Sequence, residues 1–591
     1  MKKLACTLSM FTLAALLGLP VLSAAEMQAS VIRDRVIGDS LTAAYSEESG
    51  SEQSVMVFIG DIDHESVERG MPEAETAAMT LSAVEEYENQ AEIEAVQADI
   101  MARRAASREA YLKQNTAFAN QYLDGKVEYI SKYSPVIIAS LDSVETNQLA
   151  LNGAVESIEL YDMEIAEEEP MTAPLAETAS ATEGIDYLSM INADWVHQNH
   201  TGEGIKIGVF DGDIPSTDFY STLGLTASQC MMFGTPGTQR KHSHANTVAT
   251  IIKCVAPDAT LYCTAHGNGS NYLETIEWLI DQGVNVINIS MAVPSTARDS
   301  DYNVYCSGAK WIDHISNQHL VTVVFSSGNY LSTDPASVNA VYGSKNSYNS
   351  IVVGSVDSTG TIARSSRYSS MLLSVPSRPD ICAPGVNIEV EGIGITGGTS
   401  VAAPQVTGAI ALMYEQDEEL LYYPEAVKAL LAANVHGSYD RNTTETISDS
   451  NPYTRYGAGI LDSYATRNGI RGERYLIDYF YNVTSGATKS HSIQLPANCT
   501  VRISLAYMLI TETVTSDHLT ESNIDQENLA RLSLKVYQGA TLLGSSTYTN
   551  GNLNIIEFTT TTAGEYTIQV VAGNAITELT YYSLAWGYYY D

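Results

Sequence analysis

Apolar and polar positions divide the chain into stretches of different period. Val55 to Ile59 is a short apolar run that predicts a strand. Residues 72–122 follow, with Ala, Glu and Gln throughout and no Gly or Pro beyond the start, which predicts a long helix. Val127 to Ile130 and Val136 to Ser140 read as strands, a short helix is expected from about Val144, and Val155 to Leu160 reads as a last strand. The order strand, helix, strand, strand, helix, strand predicts a small α+β unit, an open-faced sheet with helices on one side. From residue 183 to 470 the pattern changes. Apolar runs at Ile205 to Phe210, Thr260 to Cys263, Val284 to Met291, Val321 to Phe325 and Ile351 to Val356 alternate with helical stretches, notably Tyr272 to Gln282. That alternation predicts an α/β fold, a mostly parallel sheet with helices on both faces. Residues 471–591 carry short alternating strands such as Leu532 to Tyr537, Ile555 to Thr559 and Tyr566 to Val571, with turns at Asn550-Gly551 and Ala563-Gly564. They predict an all-β sandwich.

Composition narrows the function classes. With 31 Lys and Arg against 70 Asp and Glu, the formal net charge is −39. A nucleic-acid partner, which needs a basic face against phosphate, is excluded on that balance. The charge is uneven: residues 26–180 hold 31 acidic and 9 basic side chains. Residues 163–182 form an acidic, Pro- and Ala-rich linker that cannot bury a core and offers a processing site.

The first 25 residues read as a signal peptide. Lys2 and Lys3 precede an apolar run from Leu8 to Leu22, and Ser23-Ala24-Ala25 supplies small residues at the expected cut. Cys6 lies before the apolar run, unlike a lipid-modified cysteine, and no other stretch has the roughly 18 apolar residues of a membrane span. A secreted, extracellular bacterial protein without a transmembrane anchor is expected. Seven cysteines with no CxxC pair exclude a zinc-finger reading. Cys254 and Cys263 flank a Pro-Asp turn, which suits either a local disulfide or two buried free thiols.

Three segments of the middle domain carry candidate chemistry. The strand ending at Asp211 sets a carboxylate at the rim where open parallel sheets do their work. His244 heads an apolar helix. His242 competes with it, but Val248 and Ala249 follow His244 at four and five residues and put the helix directly behind it. Gly397-Gly398-Thr399-Ser400 allows close backbone approach before a Ser that opens a helix of small residues, with N–H groups pointing at whatever binds near Ser400. Pro404 is expected in the tolerant first turn.

The order Asp, His, Ser, with Gly-Thr-Ser-Val-Ala-Ala-Pro around Ser400, resembles the subtilisin-like serine proteases, the subtilases. Ser326-Ser327-Gly328-Asn329, the run from Arg378 to Gly385 and Tyr456-Gly457-Ala458-Gly459 match further family segments. The resemblance implies a subtilisin-like fold and a serine endopeptidase working through an acyl-enzyme. Ser400 would be the nucleophile, His244 the base and then the acid, and Asp211 the group that orients the imidazole. Asn329 would supply the oxyanion hole with the Ser400 N–H. Ser290, Met291 and Ala292 would pair with the substrate backbone, and Ser327 and Gly328 would wall the pocket before the cut. Protein or peptide substrates are implied. Residues 26–162, folded over 54–162, resemble the family's propeptide, which would act as the chain's own inhibitor until the linker is cut. No cofactor is required for that chemistry. Structural calcium is compatible with the resemblance but has no placed ligands; Asp299-Ser300-Asp301 reads as a solvated loop.

The sequence departs from the family in three places. Gly212-Asp213 follows Asp211 where Thr-Gly is usual, so a second carboxylate lies nearby. Ala245-Asn246-Thr247 replaces Gly-Thr-His, and Ala245 requires a backbone without positive φ. Met291-Ala292-Val293 replaces Leu-Gly-Gly and should narrow the adjacent pocket. The alternative reading is a catalytically weak or inactive binding or scaffold protein on the same fold.

Overall fold

Successive side chains on a strand face opposite ways, and strand β1 (Gln53–Ile59) uses both faces. Val55, Val57 and Ile59 pack with Phe118 and Ala119 of helix α2 (Asn89–Tyr122), with Leu123 just beyond it, and with Leu149 of helix α3 (Ser143–Leu149). Met56 and Phe58 join a second core with Tyr272 and Trp311 of the middle domain. The computed structural model describes residues 36–47, 50–62, 89–161, 184–234, 244–266, 271–291, 305–330, 340–369, 376–435, 455–510, 530–547 and 551–590. The expected signal peptide, the 163–182 linker, the 72–88 start of the long helix, His242, Ala292, Val293 and the Asp299–Asp301 loop lie outside them.

The N-terminal sheet has the order β2 (Val127–Ile130), β3 (Val136–Leu141), β1, β4 (Val155–Leu160), antiparallel throughout. The expected strands are all present. A helix that the pattern does not predict, α1 (Asp39–Glu47), adds Leu41 to the helix-side core. A sheet with one wet face would alternate apolar and polar residues. Here Val136 and Ile138 face the middle domain while Ile137 and Ala139 face the helices, so both faces are dry.

The middle domain is built on seven strands in the order β11 (Ile381–Pro384), β10 (Ile351–Val356), β9 (Thr322–Ser326), β8 (Val286–Ile289), β5 (Lys206–Asp211), β7 (Thr260–His266), β6 (Cys230–Phe233). Every neighbouring pair is parallel. Central strands are buried end to end, as expected when helices cover both faces. Helix α4 (His244–Val255), α5 (Tyr272–Asp281) and α6 (Ser307–His319) supply that cover.

Helix α7 (Thr399–Gln416) is buried from Thr399 to Tyr414. A helix apolar all round belongs inside a core, and its Ala and Gly residues let neighbours approach. A Cβ built on Gly408 would lie 2.6 Å from the Cβ of Val255 in α4. Pro404 is the sixth residue of α7 and so sits in its second turn, not the first. It has no N–H to give the carbonyl of Ser400, four residues back.

The C-terminal region forms two four-stranded antiparallel sheets around one core that includes Ile503, Leu534, Ile568 and Leu584. They pack face to face as a β-sandwich. Polar bonds join it to the middle domain: Asn349 exchanges bonds with Leu509 at 2.7 and 2.9 Å, and Arg502 Nη1 donates to Ala458 O at 2.7 Å.

Gly408→Ala tests the packing of α4 against α7. The methyl gains about 1 kcal/mol in helix propensity but meets a Cβ fixed to its backbone, and overpacking of that kind costs about 1–3 kcal/mol. The variant is expected to be less stable in a denaturant melt. Equal or higher stability would mean that α4 and α7 separate at no cost.

Candidate active site

Asp211 ends β5 with its side chain buried, and one carboxylate oxygen accepts from Gly212 N at 2.7 Å. His244, the first residue of α4, brings Nδ1 to 2.9 and 2.8 Å from the two Asp211 oxygens. A carboxylate only accepts, so Nδ1 carries the hydrogen and Nε2 is the ring nitrogen that can take another proton. The loop after Asp211 is fastened to the same helix: Asn246 Oδ1 accepts from Ser216 N at 2.8 Å and its Nδ2 donates to Ser216 Oγ at 3.1 Å. Asp213 Oδ1 accepts from Ile214 N at 2.8 Å within its own turn. Ala245 lies in right-handed helix, so the absence of Gly there costs no strain.

Ser400 is the second residue of α7. Its Oγ is buried and has no hydrogen-bond partner among the described residues. The imidazole–hydroxyl bond is therefore not formed in this structure; in unliganded sites such bonds are often long and tighten with substrate. Beside it, Asn329 follows β9. Asn329 Oδ1 accepts from Thr399 N at 2.9 Å and from Thr399 Oγ1 at 3.1 Å, while Gly328 N donates to Thr399 Oγ1 at 3.0 Å. With its oxygen committed, the amide presents Nδ2, which is buried and has no partner among the described residues. A buried donor left open calls for an explanation. Gly398 supplies the room: its φ is +128°, and a Cβ there would stand 3.0 Å from Asn329 Nδ2 and 3.4 Å from Ser400 Oγ. The donor and the hydroxyl thus border one small space at the helix N-terminus, where N–H groups already favour negative charge.

The structure thus joins Asp211 with His244, and Asn329 with the Thr399–Ser400 turn, at the carboxyl ends of β5 and β9. Ser327 and Gly328 lie at the same end; Ser327 is buried with N donating to Val353 O at 2.8 Å, and Gly328 has φ +100°. Ser290 Oγ accepts from Asn288 Nδ2 at 2.9 Å. Met291 lies just past β8 with its side chain buried in the core with Trp311 and Phe325. Among the described residues no cluster of three or more His, Cys, Asp or Glu groups could hold a metal ion. No described helix is long and apolar enough to cross a membrane.

Two polar contacts missed in the sequence tie the N-terminal unit to this domain. Glu277 of α5 is fully buried and accepts from Ser131 Oγ at 2.5 Å, Tyr129 OH at 2.6 Å and Lys132 N at 3.0 Å. Burial pushes its carboxyl above the usual range, against those three bonds. Arg104 of α2 is also buried, and donates to His319 O, Val284 O and Leu320 O at 2.9, 3.0 and 3.3 Å. Burial lowers its guanidinium to about 10. No local pattern marks either residue, because their partners lie about 150 and 200 positions away.

Residues 202–459 match the Peptidase_S8 model, described as the subtilase family. The subtilase match thus spans the middle domain. An alkaline protease of Alkalihalobacillus alcalophilus is 26% identical over 360 residues, covering 56% of this chain and 84% of that protein. Subtilisin BL of Lederbergia lenta is 28% identical over 299 residues, covering 47% and 96%. Epidermin leader peptide processing serine protease of Staphylococcus aureus aligns over 60% of this chain and 97% of its own, at 18% identity and a TM-score of 0.42. The subtilase domain is that of a serine peptidase.

Gly398→Ala would push a methyl against Asn329 Nδ2 in a φ region that L side chains avoid. Labelling of Ser400 by a fluorophosphonate, normalised to folded protein, is expected to slow by about tenfold or more. An unchanged rate would mean that the Asn329 amide does not face the reacting group.

Proposed function

We propose that this chain is a secreted serine endopeptidase, made as a zymogen, that hydrolyses peptide bonds through an acyl-enzyme on Ser400. The observation that carries the reading is the Asp211–His244 pair, 2.8 Å apart, at the sheet edge where α7 begins beside an open Asn329 amide. Ser400 Oγ attacks the substrate carbonyl as His244 Nε2 takes its proton. Asp211 holds the opposite ring nitrogen and steadies the imidazolium. The negative oxygen is received by Asn329 Nδ2 and the Ser400 N–H, donors fixed in place before the charge forms. The imidazolium then protonates the leaving amine, and water repeats the sequence in reverse to free the acid.

The N-terminal unit acts as the propeptide. Its last described residue, Tyr161, accepts from Tyr272 N at 3.1 Å and donates to Asn271 Oδ1 at 3.3 Å at the start of α5. Helix α5 follows the carboxyl end of β7, so the chain leaves this unit on the functional side of the sheet and enters the acidic linker there. An inhibitory segment held in the cleft until a cut within 163–182 fits that exit. The sandwich is an accessory module joined through Asn349 and Arg502.

The test has two parts. The processed protein is expected to take up a fluorophosphonate, with labelling lost in Ser400→Ala and His244→Ala but kept in His242→Ala and Cys382→Ala. Asn329→Ala should slow peptide hydrolysis by about 10²–10³-fold. N-terminal sequencing of the exported protein should find a cut within 163–182 that Ser400→Ala abolishes. A correctly processed protein that forms no adduct would instead favour the scaffold reading.

A further inference from the structure

Cys230 opens the edge strand β6 and Cys263 lies in β7, and the parallel register makes them direct partners. Register partners project to the same face of a sheet, and strand neighbours run about 4.7–4.9 Å apart, inside the roughly 4.4–6.8 Å Cα separation that a disulfide accepts. Both thiols are free, and each shifts the ionisation of the other. They differ in access: Cys230 is partly exposed at the sheet edge, and Cys263 is buried behind it. Tyr220 also interacts with the Cys230 thiol. Of the two readings of Cys254 and Cys263, the structure shows free thiols, not a disulfide.

We propose that Cys230 and Cys263 are a thiol–disulfide exchange site, with Cys230 the attacking and Cys263 the resolving thiol, which cross-links the edge strand to the sheet. Cys230 sulfur attacks an external disulfide of the glutathione class, forming a mixed disulfide and releasing one thiolate. Cys263 then gives up its proton, its sulfur bonds to that of Cys230, and the second external thiolate leaves. Two cysteine thiols are oxidised and one external disulfide is reduced to two thiols. The asymmetry of the pair suits this order. Interactions with Cys263 and then Tyr220, against the cost of burial, bring the Cys230 thiol down to about 7, whereas the Cys230 contact and burial push Cys263 well up.

The position gives the cross-link a consequence. The segment from β6 to β7 contains the whole of α4 with His244 at its head, and among the described residues β6 is bonded within the sheet to β7 alone. Closing that loop restrains the segment in the unfolded chain. The inference rests on strand geometry and is independent of the peptidase reading.

The full-length chain, kept as Ser400→Ala to avoid self-digestion, is titrated with reduced and oxidised glutathione and mapped by peptide mass spectrometry. A Cys230–Cys263 peptide pair about 2 Da lighter than the two thiols is expected, with an unfolding midpoint about 5 °C above that of the reduced form. Cys263→Ala should trap glutathione on Cys230, and Cys230→Ala should leave Cys263 unmodified. A Cys254–Cys263 link, glutathione on Cys263 before Cys230, or no Cys230–Cys263 link under fully oxidising buffer would each overturn the proposal. Should either variant fail to fold, the order of alkylation of Cys230 and Cys263 in the unsubstituted pair decides between the same outcomes.

Discussion

The middle domain depends on burying α7 along its length. A helix can pass through a domain only if every side has neighbours and none is too bulky, and residues 399–414 meet that condition with Ala, Gly, Val and Thr among them. Gly408 lets it lie against α4 at Val255, closer than any side chain would permit. Because both helices are fixed in that contact, their first turns are fixed as well. One begins with His244 and the other with Thr399 and Ser400. The chemistry at the rim is therefore set by packing deeper in the two helices, at Gly408 and Val255.

That arrangement explains which parts of the site can be read from the chain. The Gly-Gly-Thr-Ser run is local: Gly398 is needed for a positive φ, Thr399 hydrogen-bonds Gly328 and Asn329, and Ser400 follows within the same turn. The strand ending in Asp211 and the helix headed by His244 are legible for the same reason, since each is a regular element with its functional residue at one end. Less legible are features created by pairing across the sheet. Strand β6 has only four residues and no alternation, and its alignment of Cys230 with Cys263 follows from register alone. Pro404 falls one turn later than expected because the helix begins at Thr399.

The N-terminal unit divides in the same way. Its strand and helix order is readable, yet the pattern predicts one sheet face covered by helices and leaves the other without a partner. Both faces of β1 are apolar because the second is covered by α5 and α6. Once that face is shut, polar groups at its margin have no water, and each has to find a bond within the protein. Glu277 collects three donors from β2 and the loop before β3, and Trp311 Nε1 donates to Ser134 Oγ at 2.9 Å.

The long helix α2 engages a different part of the domain. Gln97 donates to Gly204 O and Asn285 Oδ1, and Arg104 to three carbonyls at residues 284, 319 and 320. These positions precede β5, β8 and β9, so α2 lines the amino edge of the sheet, opposite the rim that holds Asp211, His244 and Ser400. Tyr161, by contrast, lies at the functional edge. The unit therefore grips the domain at two ends with different elements. A cut within 163–182 severs the chain beyond Tyr161 and leaves every bond of Arg104, Gln97 and Glu277 in place. Pulling the unit away would break the three bonds of Arg104 and the three of Glu277 and expose those groups to water, at a net cost of about 0.5–1.5 kcal/mol for a typical bond. Severing the chain beyond Tyr161 and releasing this unit from the domain are therefore physically separate events, because none of these bonds involves residues 163–182.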